Sequence, residues 1–163
     1  MAFRKSKTYT PEEIRAKALR YCAQQEHCLQ EVRQKVKDWG LPASQINGLL
    51  AELKREGFID ERRYAESFAR GKFRIKRWGK QKIAHALQQK ELRSGDIYYG
   101  LSQLDEAEYW ETLEMLAEKL EPSVKETDPF LKRDKLAKKL ITKGFEPALV
   151  WDLLKSWSFG EPA

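Results

Sequence analysis

Three short stretches decide the fold: Val36-Lys37-Asp38-Trp39-Gly40-Leu41, Leu87-Gln88-Gln89-Lys90-Glu91-Leu92 and Leu140-Ile141-Thr142-Lys143-Gly144-Phe145. Each sets an apolar residue four positions before a pivot and another directly after it. With Gly40, Glu91 and Gly144 as pivots, the match extends outward in both directions. Eight positions before stand Val32, Ile83 and Leu136. Six, ten and thirteen positions after stand Ile46, Leu50 and Leu53; Ile97, Leu101 and Leu104; and Val150, Leu154 and Trp157. The spacing on either side of the pivot is that of one helix face, so each copy reads as helix, tight turn, helix. The copies recur about every 50 residues, which is the mark of a modular array.

A further helix precedes each copy, over about 11–24, 61–76 and 106–120. Thr10-Pro11-Glu12-Glu13 has the order of a capping box, with Pro at the first helical position. Asp105-Glu106-Ala107-Glu108 repeats the logic, Asp128-Pro129 is another start, and Asp60 and Ser94 stand where caps are expected. Gly40, Gly57 and Gly144 mark stops, where a positive φ suits glycine. No stretch alternates over a strand's length. The expected fold is all-α: three tandem three-helix, helix-turn-helix-like modules in an elongated or curved array. The expected division is a tail at 1–9, modules at 10–57, 58–104 and 105–158, and a tail at 159–163, with a loop over Glu121–Asp128 interrupting the third module. A 50-residue module buries too little surface to stand alone comfortably, so neighbours are expected to share interfaces.

Of 163 residues, 41% are hydrophobic and 34% charged, with a net charge of +6. No apolar run approaches the roughly 20 residues that cross a bilayer, and no apolar core follows basic Met1–Lys7, so neither a membrane span nor a signal peptide is expected. Two cysteines, Cys22 and Cys28, read as free thiols in a reducing cytoplasm.

The charge is segregated. Residues 62–82 carry nine basic groups against the single acid Glu66. Arg63, Arg70, Arg74 and Arg77 recur at helical spacing and are expected to share one face, while Tyr64, Phe68 and Ile75 are assigned to the core. Such a face fits phosphates or an acidic protein surface, because the arginine fork pairs bidentately with either. Lys72 and Lys80 belong to the same stretch. Trp78 lies within it and either stacks on a base or packs under the next module. Trp39, Trp110, Trp151 and Trp157 read as core. Lys132, Arg133, Lys135, Lys138, Lys139 and Lys143 form a second basic set, in which Lys132, Lys135 and Lys139 share a face at spacings of 3 and 4. The acidic residues Glu106, Glu108, Glu111, Glu114 and Glu118 make their helix a poor DNA contact. They are read as a solvated face, or as a partner that would pair with part of the basic stretch.

Chemistry is sparse. There is no phosphate-binding loop, no dinucleotide fingerprint and no zinc-protease signature. Cys22, His27 and Cys28 lie close in sequence, but a metal site needs more and better-spaced ligands. Acidic pairs at helix starts are explained by the macrodipole. No metal, no cofactor and no enzymatic activity are expected.

One segment resembles a known family. Gly57-Phe58-Ile59-Asp60-Glu61-Arg62-Arg63-Tyr64-Ala65, followed by Phe68, Arg70, Gly79 and Ile83, is similar to the signature of the RecX family, bacterial modulators of the RecA recombinase. His27-Cys28-Leu29-Gln30-Glu31-Val32 resembles the family's first-module pattern, and Lys143-Gly144-Phe145 with Val150 and Leu154 its third. Two departures stand out. Cys28 replaces the usual Ser or Thr cap, and Glu91-Leu92 replaces Gly-Ile, which is expected to tighten or shift that turn. The resemblance implies a cytoplasmic protein that binds the RecA filament on single-stranded DNA and inhibits ATP hydrolysis, strand exchange and filament growth. Recombination and the SOS response would be restrained in this way. The contact candidates are then Arg63, Arg70, Lys72, Arg74, Arg77, Trp78 and Lys80, with Lys132, Lys135 and Lys139 secondary, while Asp60 and Tyr64 serve as cap and core. A monomer is expected, with no membrane partner. The rival reading is a stand-alone helix-turn-helix-like DNA-binding protein. Against it, no candidate recognition helix is rich in base-reading side chains.

Overall fold

The computed structural model describes residues 8–159. Among them are nine α-helices, one 3-10 turn and no strand. The first module holds α1 (Pro11–Gln24), α2 (Leu29–Asp38) and α3 (Ala43–Arg55). The second holds α4 (Glu61–Lys76), α5 (Lys80–Gln89) and α6 (Ser94–Ser102). The third holds α7 (Glu106–Leu120), a 3-10 turn at Glu121–Ser123, α8 (Pro129–Thr142) and α9 (Pro147–Leu154). Residues 1–7 and 160–163, most of the two expected tails, lie outside the described residues.

The repeat is visible in the burial. Every residue of the eighteen-position pattern is buried except Leu101 and Trp157, which are half-buried. The pivots also share a backbone conformation. Gly40, Glu91 and Gly144 have φ of 92°, 64° and 102°. In each copy the N–H after the pivot bonds five residues back, Leu41 to Val36, Leu92 to Leu87 and Phe145 to Leu140. The turn at Glu91 is therefore neither tighter nor shifted: glutamate adopts the left-handed conformation that its neighbours give to glycine, and α6 forms after it. Such a residue costs about 1 kcal/mol in that region.

Caps follow a rule that spans modules. Thr10, Asp60 and Asp105 cap the first helix of each module, accepting from Glu13, Arg63 and Glu108 N–H at 3.2, 3.0 and 2.8 Å. The second helices are treated differently. Cys28 and Gly79 offer no side-chain cap. Instead Leu29 N–H at the start of α2 donates to Glu61 Oε1 of the second module at 2.7 Å. At the start of α5, Lys80 N–H donates to Tyr109 Oη and Gln81 N–H to the Gly144 carbonyl, both of the third module and both at 2.9 Å. In the first and second modules the start of the second helix thus finds an acceptor in the module that follows. In the third module α8 carries its own cap, Asp128, which accepts from Phe130 and Leu131 N–H. Ser94 is not a cap: Arg93 holds that position and Ser94 is the first helical residue.

Two apolar cores result. One is built from α1–α3 and includes Ile14, Ala18, Val32, Val36, Leu50, Leu53 and Ile59. The other runs without a break through the second and third modules, from Tyr64 to Phe159. Cys28 is the one buried side chain of the first module that belongs to it. The module limits 57/58, 104/105 and 158/159 stand as a proposed division, on which two side chains bear. Ile59 packs with the first module, and Phe159 is buried against Trp157 rather than trailing away.

Two core assignments fail. Ile75 is 79% exposed. It shares a face with Tyr64 and Phe68, but lies about 16 Å further along α4, past the Glu31 and Lys90 side chains that reach Tyr64 and Phe68. Trp151 is 40% exposed, because α9 buries Val150, Leu153 and Leu154 and turns Trp151 outward. Trp39, Trp110 and Trp157 pack half-buried against the cores.

Candidate functional site

The basic stretch does not present a uniform arginine face. Arg63 bonds Glu26 of the first module at 2.5 Å and the Gly57 carbonyl at 3.0 Å. Arg70 pairs with Glu66 at 2.8 Å within α4. Arg74 reaches Glu108 of α7 at 3.4 Å, so part of the stretch does meet the acidic helix. Arg77 is not helical. It caps α4 in the left-handed region with φ 55°, and its guanidinium lies 3.6 Å from Met115 Sδ. The shared four-arginine face therefore breaks at Arg77, where the chain must turn to bring Gly79 to the third module.

That turn builds a seam. Gly79 N–H donates to the Lys143 carbonyl at 2.9 Å. A Cβ on Gly79 would lie 2.2 Å from the Gly144 carbonyl carbon, and one on Gly144 would lie 2.4 Å from Lys82 Cβ. Only glycines allow the two turns to meet so closely. The seam sets Lys82 beside the turn that carries Lys143, and Lys143 shares a shallow pocket with Leu120, Lys138, Lys139 and Thr142. On the other side, Lys72 and Lys82 place their ammonium groups 4.9 and 4.7 Å from the centre of the half-buried Trp78 ring. Lys80 lies 4.7 Å over Tyr109. The basic stretch of the second module and the basic helix of the third, separate in sequence, thus meet where the two turns touch, and together make up the lysine band. Sequence alone marks Lys82, Lys138 and Lys143 as basic but not as contact candidates; the approach of Gly79 to Gly144 brings the turn of Lys143 to Lys82, and no local signal announces it.

The secondary candidates have partners. Lys132 pairs with Glu121 at 2.5 Å, Lys135 with Glu126, and Lys139 lies 3.4 Å from Ser123 Oγ. These lysines tie the loop after α7 onto α8.

A second cluster sits where the first and second modules meet. Glu31 accepts from Tyr64 Oη at 2.7 Å, lies 2.7 Å from His27 Nδ1, and takes the Cys28 thiol and the Lys90 ammonium at 3.4 Å each. Burial alone would push the Glu31 carboxyl up, but hydrogen bonds from His27, Tyr64 and Cys28 and the Lys90 charge outweigh it and hold it at about 2. Burial raises the Cys28 thiol to about 12, so it is no nucleophile. His27 is 5% exposed and stacks on Tyr21 at 3.6 Å. Among the described residues no group of His, Cys, Asp and Glu is placed to hold a metal ion, and no helix is long and apolar enough to cross a membrane. Asp60 and Tyr64 act as cap and core, with Tyr64 also reaching across the module boundary.

Fold and site together define a tandem array of helix-turn-helix-like modules, edge-locked through glycine turns and banded with lysine. Comparison with known proteins places that class. A family model described as the RecX second three-helix domain matches residues 60–97. The regulatory protein RecX of Pseudomonas entomophila is 30% identical over 145 residues, covering 89% of this chain and 92% of that protein. The chain belongs to the RecX family. Regulatory proteins RecX of Ectopseudomonas mendocina and Clostridium botulinum are 37% and 29% identical, with matches spanning only 57% and 59% of their lengths. A crystal structure of regulatory protein RecX superposes with a TM-score of 0.77 at 25% identity, covering 95% of this chain and 83% of that one. RecX from Lactobacillus salivarius shares the fold, with a TM-score of 0.80 at 23% identity over 88% of this chain and 94% of that one.

Proposed function

We propose that this chain binds the RecA filament on single-stranded DNA and inhibits RecA ATP hydrolysis, strand exchange and filament growth, and so restrains recombination and the SOS response. It acts as a cytoplasmic monomer and performs no catalysis of its own. Membership of a family of regulatory proteins named RecX supports the partner. The observation that carries the contact is the lysine band at the Gly79–Gly144 seam, which sets the Lys72–Trp78–Lys82 cluster of the second module beside the turn that carries Lys143 of the third. Such a band offers cations to phosphates or carboxylates along an extended partner. Arg77 and Lys80 flank it, and Lys139 lies on the third-module side. Arg63, Arg70, Arg74, Lys132 and Lys135 contribute less, since each is paired with a carboxylate of the chain.

The stand-alone DNA-binding reading fares worse. The candidate recognition helix of the second module, α6, is nearly uncharged, and its Gly100 is pressed against the Ala65 backbone of α4. The test is single-strand-dependent ATP hydrolysis by RecA of the same organism, with this protein titrated in and a naked-DNA titration at matched salt. Inhibition well below the concentration that coats bare DNA is expected. Inhibition only when the DNA is saturated would favour the rival.

A further inference from the structure

The outer face of α4 carries a feature, shared with the lysine band only at Lys72, in which Gly71, Ile75 and Lys76 have no part in the module packing. Ser67, Phe68, Gly71, Lys72, Ile75 and Lys76 line a shallow groove of about 230 Å³. Ile75 stands 79% exposed at one end and Phe68 half-buried at the other. Between them Gly71 leaves a notch, and a Cβ there would meet nothing within 4 Å. Glycine is among the poorest residues for a helix interior. Internal packing demands it at Gly79, Gly100 and Gly144, but not at Gly71.

The rim of the groove is cationic. Lys72 and Lys90 lie 5.5 and 5.9 Å from the centre of the Phe68 ring, and Lys76 has no ion-pair partner among the described residues. The nearest acid in sequence, Glu66, is occupied by Arg70. The cationic rim alone would also serve a nucleic-acid backbone, but Phe68 is half-buried beneath Lys72 and Lys90, and the exposed Ile75 and the notch at Gly71 offer no ring face for a base. They suit a helix laid along α4 with one large apolar side chain over the notch. We infer that this groove docks an acidic amphipathic helix of the protein component of the filament, its apolar side chain seated at Gly71 between Phe68 and Ile75 and its carboxylates on Lys72 and Lys76. The inference rests on the filament reading above, and names the kind of RecA surface that this groove would meet.

The experiment compares the wild-type chain with Gly71→Leu and Ile75→Glu. It measures affinity for labelled RecA–single-stranded DNA filaments, affinity for the same DNA alone, and thermal unfolding. Both variants are expected to lose at least tenfold in filament affinity and to stay within about twofold on bare DNA. Gly71→Leu, whose side chain enters open space and favours the helix, is expected to unfold no earlier than wild type. Folded variants that bind filaments as wild type does would overturn the docking groove and leave the filament reading standing. Parallel loss on filament and bare DNA would overturn it by showing that the groove touches nucleic acid. A wild-type chain that does not bind filaments at all would remove the filament reading, and this inference with it.

Discussion

The two junctions between modules occupy equivalent places in the repeat and are made of different material. Between the second and third modules the contact is backbone on backbone at Gly79 and Gly144, backed by Phe73, Tyr109 and Phe145, whose rings lie 5.2–5.6 Å apart in one continuous core. Between the first and second modules Cys28 and Glu91 stand at the corresponding positions, and their Cβ atoms take the place of the two glycines. A charged and hydrogen-bonded cluster around Glu31 does the holding, beside a separate core. The same tyrosine, four residues after the first cap of its module, serves both junctions: Tyr64 donates to Glu31 of the first module, and Tyr109 accepts from Lys80 N–H of the second. Burying apolar area is non-directional and tolerant of pH. A buried carboxylate with several donors is directional, and costly once one partner is lost. The pair that carries the lysine band is therefore one body, and the first module is held to it by ties that chemistry can cut.

The largest expected effect is at the apolar junction. Gly144→Val forces a side chain into the Lys82 backbone at a φ of 102°, and should cost about 4 kcal/mol from strain and overpacking together. Urea unfolding should show the loss in α4–α9. Glu31→Ala strands Tyr64, His27 and Cys28 donors at the polar junction and should cost about 3 kcal/mol. The loss should fall on α1–α3, leaving the Phe73–Tyr109–Phe145 packing intact by near-ultraviolet circular dichroism. Acid should sharpen the same contrast. Glu31 is held at about 2, below its ordinary value of 4.5, so its contribution is full above that ordinary value and is lost as the pH falls towards 2. The amount is about 2 kcal/mol once partial solvent access is allowed for. Stability measured between pH 5 and pH 2 should drop in wild type and change less in Glu31→Gln. The smallest effect is a gain: Glu91→Gly relieves a left-handed glutamate and should stabilise the chain by about 0.5–1 kcal/mol, net of the added flexibility of glycine.

Much of this was legible in the sequence, and the reason is geometric. Helix faces repeat every 3 or 4 residues, and turn glycines fix the phase, so the eighteen-position pattern and the caps at Thr10, Asp60, Asp105 and Asp128 read directly. Interactions between modules carry no such period. Arg63 with Glu26, Arg74 with Glu108 and Tyr64 with Glu31 join residues more than 30 apart. Nothing local to either partner announces them. Ile75 was misread for a related reason: periodicity gives a residue's face, but not how far along the helix its cover extends. The lysine band lay half in view. Its members from 72 to 82 stand together in sequence, but Lys143 joins them only through a glycine contact that the chain alone does not reveal.

The most direct measurement is native-state hydrogen exchange at pH 7 on the wild type and on Glu31→Ala, resolved by helix. Two unequal junctions predict that α1–α3 open together at a lower free energy than α4–α9, and that Glu31→Ala lowers the first value while leaving the second in place. A single opening free energy common to α1–α9, lowered equally by Glu31→Ala, would contradict the account.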